Sequence, residues 1–312
     1  MRRAAVLLMG PTGAGKSDLA LCLAERLPFE IISVDSALVY RGMDIGTAKP
    51  AAAIRARIPH HLIDIRDPVT TYSAGEFVRD AGIAMEEIWS RGRQPLLVGG
   101  TMLYFHALTE GIAELPEGDV QIRSDIDRDA AGRGWAAVHA DLARIDPEAG
   151  ERIHANDSQR IQRALEVFRL TGRTITQLQT LRTSVFAETE VQEIALVPER
   201  AVLHANIAAR FRAMLAAGFL DEVRDLFARG DLTREHPSMR AVGYRQIWSY
   251  LEGRSSLADA ETKAIVATRQ LAKRQMTWLR RRPRATVLEA AHPNVAQALV
   301  DALSRSIFAG WT

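Results

Sequence analysis

Cysteine is nearly absent from this chain of 312 residues: Cys22 stands alone, which excludes a disulfide framework and a cysteine-based zinc module. No apolar run approaches the roughly 20 residues that a bilayer-spanning helix needs. The opening Met1-Arg2-Arg3 and its short apolar run lead straight into a glycine loop with no cleavage-like segment, so they read as a first strand and not a signal peptide. These absences favour a cytoplasmic protein with no membrane partner. The eight histidines are scattered without ligand spacing, and no protein zinc site is expected. Lysine is scarce, confined to Lys16, Lys49, Lys263 and Lys273, so the cationic surface is made of arginine. Internal repeats and low-complexity linkers are missing too. What remains is 47% hydrophobic and 25% charged with a net charge of +2, enough apolar material for a substantial core and length for about two domains.

The most informative segment is Gly10-Pro11-Thr12-Gly13-Ala14-Gly15-Lys16-Ser17, which fits the phosphate-cradling pattern G-x-x-x-x-G-K-[ST]. It follows the apolar run Ala4 to Met9 and precedes Leu19, Ala20, Leu23, Ala24 and Leu27 at helical spacing, so strand, loop and helix come in the required order. The glycines let backbone amides converge at a helix N-terminus, Lys16 adds a positive charge, and the Ser17 hydroxyl can complete the shell of a phosphate-bound magnesium ion. Such a site takes a diphosphate or triphosphate. The loop alone leaves the chemistry open, because kinases, ATPases and GTPases share it.

Short apolar runs at Glu30 to Val34, His61 to Ile65 and Pro95 to Val98 read as buried parallel strands. Between the last two, Ser73 and Glu76 form a capping box before a helix that stops at Gly92. The pattern predicts an α/β fold, a P-loop NTPase-like parallel sheet flanked by helices. From residue 114 to 189 only helical periodicity remains, with helices at Val120 to Arg133, Ala136 to Ile145 and Ser158 to Thr171. This predicts a core of residues 1–113 and 190–312 interrupted by an all-helical insertion domain at 114–189. Strand character returns at Val191 to Val197, and helices follow at Val202 to Ala217 and Ala258 to Arg280.

Asp35 ends the second strand, where parallel α/β sheets line their ligand crevice. It is open to three readings: a magnesium-holding acid, a general base, or the cap of a turn. Asp64 rivals it for the metal role. The strand Pro95 to Val98 ends in Gly99-Gly100 and not in an acid, which counts against a motor ATPase. Near the C-terminus no acidic residue interrupts Lys263 to Arg284, so a localised basic surface is expected, compatible with the phosphates of a large anionic partner.

Three segments together are no longer generic: the phosphate loop, Ile32-Ser33-Val34-Asp35-Ser36-Ala37-Leu38-Val39-Tyr40-Arg41-Gly42-Met43-Asp44-Ile45-Gly46-Thr47-Ala48-Lys49-Pro50, and Gly99-Gly100-Thr101-Met102-Leu103-Tyr104. They closely resemble the bacterial tRNA isopentenyltransferase (IPP transferase, tRNA dimethylallyltransferase) family. Asn156 to Glu166, Arg240 to Gln246 and Lys273 to Arg280 agree, so ordered matches run from residue 10 to 280. The resemblance implies transfer of a dimethylallyl group from dimethylallyl diphosphate, with Mg2+, to the exocyclic amine of the adenosine 3′ to the anticodon. It implies Asp35 as general base, Thr101 as its hydrogen-bonding companion, and Lys16 and Arg210 as clamps on the diphosphate. It places Asp35, Ser36, Ala37, Leu38, Thr101, Arg123, Gln159, Arg160, Ile161, Gln162 and Arg163 against the tRNA anticodon stem-loop. It adds Arg240, Ala241, Val242, Gly243, Tyr244 and Arg245, together with Lys273, Arg274, Gln275, Met276, Thr277, Trp278, Leu279 and Arg280. A monomer is expected, and the rival reading is a phosphate-loop small-molecule or nucleoside kinase.

Overall fold

The computed structural model describes residues 3–113, 115–179, 184–289 and 294–308. The chain divides into two compact units, residues 1–107 with 186–312, and residues 108–185.

In the larger unit, β1 (Ala4–Met9) is buried at every position, as its unbroken apolar run requires of a strand covered on both faces. It leads through the glycine loop into α1 (Lys16–Arg26), then β2 (Phe29–Val34), α2 (Ala52–Arg57), β3 (His60–His61), α3 (Ala74–Ser90), β4 (Gln94–Gly99) and α4 (Met102–Glu110). After the insertion come β5 (Glu190–Leu196), α10 (Arg200–Ala216), α11 (Phe219–Ala228), α12 (Tyr244–Leu251), α13 (Leu257–Leu279), β6 (Thr286–Leu288) and α14 (Val295–Ser306). The insertion itself holds α5 (Val120–Arg133), α6 (Trp135–Ile145), α7 (Pro147–Arg152), α8 (Ser158–Thr171) and α9 (Ile175–Gln179).

The strands form one parallel sheet in the order β3-β2-β4-β1-β5-β6. The pairing sets Val34 opposite Gly99 and Met9 opposite both Gly99 and Ala195, so the ends of the four central strands lie side by side. One face is sealed by α1 and α14, whose Leu19, Leu23, Leu299 and Leu303 pack with Val6, Leu8, Leu96 and Ile194. Each such leucine contributes about 1.5–3 kcal/mol by leaving water. The capping box of α3 is present in both directions, Ser73 accepting from Glu76 N–H and Glu76 from Ser73 N–H.

The strand expected over His61 to Ile65 is limited to His60–His61. Leu62 and Asp64 adopt left-handed φ angles of 62° and 59°, which end the extended run. The carboxylate of Asp64 is gripped by Lys49 and Arg55, contacts distant in sequence. The insertion also starts earlier and ends earlier than 114–189. Val185 N–H and Ser184 Oγ both donate to the Leu108 carbonyl, closing it across residues 108 and 185. Inside it, Ile126, Val138, Leu142, Ile161, Leu165 and Ile175 make a separate core.

Candidate active site

Three backbone conditions build the phosphate loop. Gly13 and Gly15 take φ angles of 82° and 84°, where a side chain is strained, and Gly15 is the residue from which α1 starts. A Cβ on Gly10 would sit 2.9 Å from the Leu196 carbonyl oxygen, so β5 closes down on the loop only because Gly10 has none. Asn206 on α10 donates to the Gly13 carbonyl at 3.2 Å. Lys16 folds back to donate to the Pro11 carbonyl at 2.7 Å. Burial pushes its ammonium down to about 7, Asp35 opposing the shift and Arg210 adding to it. Ser17 is exposed in the first turn of α1.

Asp35 stands one residue past β2. Its Oδ1 accepts from Ala37 N–H at 2.8 Å and Leu38 N–H at 3.3 Å, so the turn reading is satisfied by one oxygen. Its Oδ2 has no hydrogen bond among the described residues. Thr101 lies beside it at the end of β4: its N–H donates to Val34 O at 3.2 Å and its hydroxyl oxygen accepts from Ser36 N–H at 3.1 Å. That hydroxyl therefore holds the turn carrying Asp35. A Cβ on Gly99 would come 2.0 Å from Val34 O, so a glycine is required for the two strand ends to meet this closely. Arg210 on α10 donates to Thr47 O at 3.3 Å; burial lowers its pKa against the attraction of Asp35 and Asp18.

Two cavities meet at this point. The first, of 1040 Å³, runs along the phosphate loop from Thr12 to Asp18 and on to an apolar wall that includes Leu21, Ile54, Ile63 and Val202. The second, of 510 Å³, is lined by Ser36, Thr101, Leu103, Arg240, Val242, Arg274 and Trp278. Thr12, Asp35, Thr47, Gly100, Arg210, Met214 and Gln275 line both. An anion held on the loop and a ligand in the second cavity would thus face each other across Asp35.

The other expected residues divide by burial. Arg240, Arg245, Lys273, Thr277 and Arg280 are exposed, Ala241 and Val242 line the second cavity, and Gly243 starts α12 at a φ of 97°. Met276 is half-buried. Tyr244 is fully buried, although it borders the second cavity, and Leu279 is nearly so; the Tyr244 hydroxyl donates to Glu222 at 2.6 Å, and burial with that carboxylate pushes its pKa up. Gln275 is also turned inward, on Thr12 and Gly100. The basic run is partly consumed inside the unit, since Arg282 pairs with Glu193 at 3.1 Å and Arg269 donates to the His204 carbonyl. Asp64, the rival for the metal role, is bound by Lys49 and Arg55.

In the insertion, Gln159 and Arg160 are exposed near the start of α8, while Ile161 is fully buried in the unit's own core. Arg123 and Arg163 both bind Glu166, whose side chain has no exposed surface, at 2.7 and 2.6 Å. Burial alone would raise the Glu166 pKa, but those two guanidinium groups and Asp119 N–H hold it below its usual value. Gln162 donates to Asp127 at 2.6 Å.

Sequence reasoning missed Glu222 and Glu166. Glu222 accepts from the N–H groups of Asp44, Ile45 and Gly46 and from Tyr244, fixing the loop that borders both cavities. Its only sequence signal was a place in an acidic first turn of α11. Glu166 was signalled by a lone acid inside Ala164-Leu165-Glu166-Val167.

Strand, glycine loop and helix in a parallel sheet, with a strand-end carboxylate on the wall of two cavities, define a P-loop-like α/β protein. Comparison with known proteins narrows this class. A family profile described as IPP transferase matches residues 38–282. The chain is 59% identical over 286 residues to a tRNA dimethylallyltransferase of Nitrosococcus oceani, covering 91% of each chain. It is 54% identical to one of Ralstonia nicotianae, covering 97% of this chain and 95% of that one. Its structure is similar to that of the full-length tRNA isopentenylpyrophosphate transferase of Bacillus halodurans, with a TM-score of 0.72 and 35% identity over 99% of this chain and 98% of that one. A eukaryotic dimethylallyltransferase captured acting on tRNA gives a TM-score of 0.83 at 25% identity, covering 98% of this chain and 80% of that one. The chain belongs to the IPP transferase family.

Proposed function

We propose that this protein transfers a dimethylallyl group from dimethylallyl diphosphate to the N6 amine of the adenosine 3′ to the anticodon in tRNA, giving N6-dimethylallyladenosine and diphosphate. The observation that carries the reading is the junction of the two cavities at Asp35, Gly100 and Arg210. The diphosphate lies on the loop in the larger cavity. The adenine, extruded from the stacked stem-loop, enters the smaller one past Arg274 and Trp278.

The step balances without a redox partner. The allylic C–O bond breaks with its electron pair going to the diphosphate, the N6–carbon bond forms, and the amine proton passes to Asp35 Oδ2. An adenine amine is a weak nucleophile because its lone pair is delocalised, so proton removal has to accompany bond formation. Loop amides, Lys16 and Arg210 stabilise the charge that develops on the departing diphosphate. Thr101 holds Ser36, and with it the turn that orients Asp35.

Magnesium suits this donor set. No group of three or more His, Cys, Asp or Glu side chains forms a cage among the described residues. The oxygens at hand include the exposed Ser17 hydroxyl, the carboxylates of Asp18 and Asp35, and the Ser33 hydroxyl, buried in the wall of the larger cavity with no hydrogen-bond partner among the described residues. Hard oxygen donors of this kind, completed by phosphate oxygens and water, fit Mg2+. When bound, the ion neutralises charge on the leaving group.

No helix among the described residues is long and apolar enough to cross a membrane. The test is incubation with dimethylallyl diphosphate, Mg2+ and unmodified tRNA, followed by nucleoside mass analysis. One isoprenyl unit gained on adenosine, without ATP consumption, supports the reading. ATP-dependent phosphorylation with no gain on adenosine overturns it in favour of a kinase.

A further inference from the structure

We infer that Gln275 is a positioning residue that couples the RNA-facing helix α13 to the phosphate loop, so that binding of the anticodon stem-loop tightens the grip on the diphosphate. The inference rests on the transfer reading above.

Gln275 sits within the basic stretch of α13, yet its side chain points away from solvent and is 8% exposed. Its Oε1 accepts from Thr12 N–H at 3.0 Å, and its Nε2 donates to the Gly100 carbonyl at 2.8 Å. One planar amide thus spans the phosphate loop and the end of β4. A side chain carrying both a donor and an acceptor at a fixed separation is needed: a carboxylate lacks the donor, and lysine or arginine lacks the acceptor. The fit is tight, because a Cβ on Gly100 would lie 2.4 Å from Nε2 and 3.2 Å from the Gly10 carbonyl. Thr12, Gly100 and Gln275 all line both cavities. Immediate neighbours on the same helix, Arg274 and Trp278, line only the smaller one, where the RNA base is placed. Whatever fixes α13 through those two side chains therefore fixes the Thr12 amide at the mouth of the loop. A loop ordered before the diphosphate arrives binds it with less loss of conformational freedom.

The test measures the Kd of inorganic pyrophosphate with Mg2+ by calorimetry, with and without a saturating unmodified anticodon stem-loop. The wild-type protein is expected to bind pyrophosphate at least about fivefold more tightly with the stem-loop present, the lower end of typical coupling. Gln275→Ala is expected to bring that ratio to within about twofold of one. Gln275→Met keeps the volume and removes both polar atoms, so it gives the same readout should the alanine variant be unstable. Arg274→Ala, which removes one of the two side chains through which the RNA would fix α13, is expected to weaken stem-loop binding and to lower the ratio. A ratio kept intact in both Gln275 variants, or a ratio of one in the wild type, overturns the inference. Wild-type protein that binds neither pyrophosphate nor stem-loop would instead sink the transfer reading itself.

Discussion

Lys16 and Arg210 in the larger unit and Arg123 and Arg163 in the insertion are all cations set against buried surface, but their partners differ. The first pair has only carbonyl oxygens to donate to, those of Pro11 and Thr47, and forms no ion pair among the described residues. The second pair is joined to the buried carboxylate of Glu166. Burial pushes the Lys16 and Arg210 pKa values down and the attraction of Asp35 offsets this only in part, whereas Glu166 is held ionised by its two arginines. A buried cation without an anion is a standing cost that a ligand removes, and a cation already paired is part of the scaffold. Arginine content alone therefore does not mark an RNA surface: on α8, Arg163 is spent on Glu166, whereas Arg160 and Arg169 are exposed, Arg160 bound only loosely to Asp157 at 3.4 Å.

The contrast is tested most severely at the acid that faces both cavities. Asp35→Ala should lower the single-turnover rate by about 100-fold or more, as loss of a general base predicts, with pyrophosphate and stem-loop still bound. A near wild-type rate would remove Asp35 from the chemistry. Next in size is the scaffold pair. Glu166→Ala leaves two guanidinium groups and Asp119 N–H without their acceptor, and should cost about 1–3 kcal/mol in urea unfolding of the chain. Unchanged unfolding would mean that the Glu166 cluster does not hold the insertion.

Lys16 gives the third test, and its sign follows from the direction of its shift. The folded value lies near 7, below the ordinary 10.5, so the unfolded chain binds this proton more strongly between those values. Ligand-free stability should therefore rise with pH across that window, and Lys16→Met, which has no proton to lose, should melt higher than wild type near pH 7. Pyrophosphate selects the protonated lysine. Its affinity for wild type should fall as pH rises above about 7, relative to the Lys16→Met variant measured over the same range. Parallel pH profiles for the two proteins would contradict this. The smallest effect is expected at the exposed arginine: Arg160→Ala should weaken tRNA binding about two- to threefold without altering the melting temperature, the range of a single exposed charge. Loss of stability there would place Arg160 with the scaffold.

How much of this was legible in the residues depended on range. The phosphate loop was readable because its glycines, Lys16 and Ser17 are adjacent, and α8 was bounded correctly because a local signal, Gly172, stops it, here at a φ of 69°. The extent of β3 was not readable, because Lys49 and Arg55 turn Asp64 out of the strand across 15 and 9 residues. Helix α14 does not announce itself in the sequence although Val295, Leu299 and Leu303 have helical spacing; a short C-terminal segment shows its purpose only once it lies on α1. The inward turn of Gln275 was hidden for a similar reason. Its neighbours make the helix look like a solvated basic face, and its partners, Thr12 and Gly100, lie 263 and 175 residues away.

The measurement that bears most directly on the account is a crystal structure with an unreactive dimethylallyl diphosphate analogue and an anticodon stem-loop bound together. The diphosphate is expected on the loop between Gly10 and Ser17, the adenine in the smaller cavity, and Asp35 Oδ2 within hydrogen-bonding distance of the N6 amine. An adenine lodged elsewhere, with Asp35 out of its reach, would contradict it.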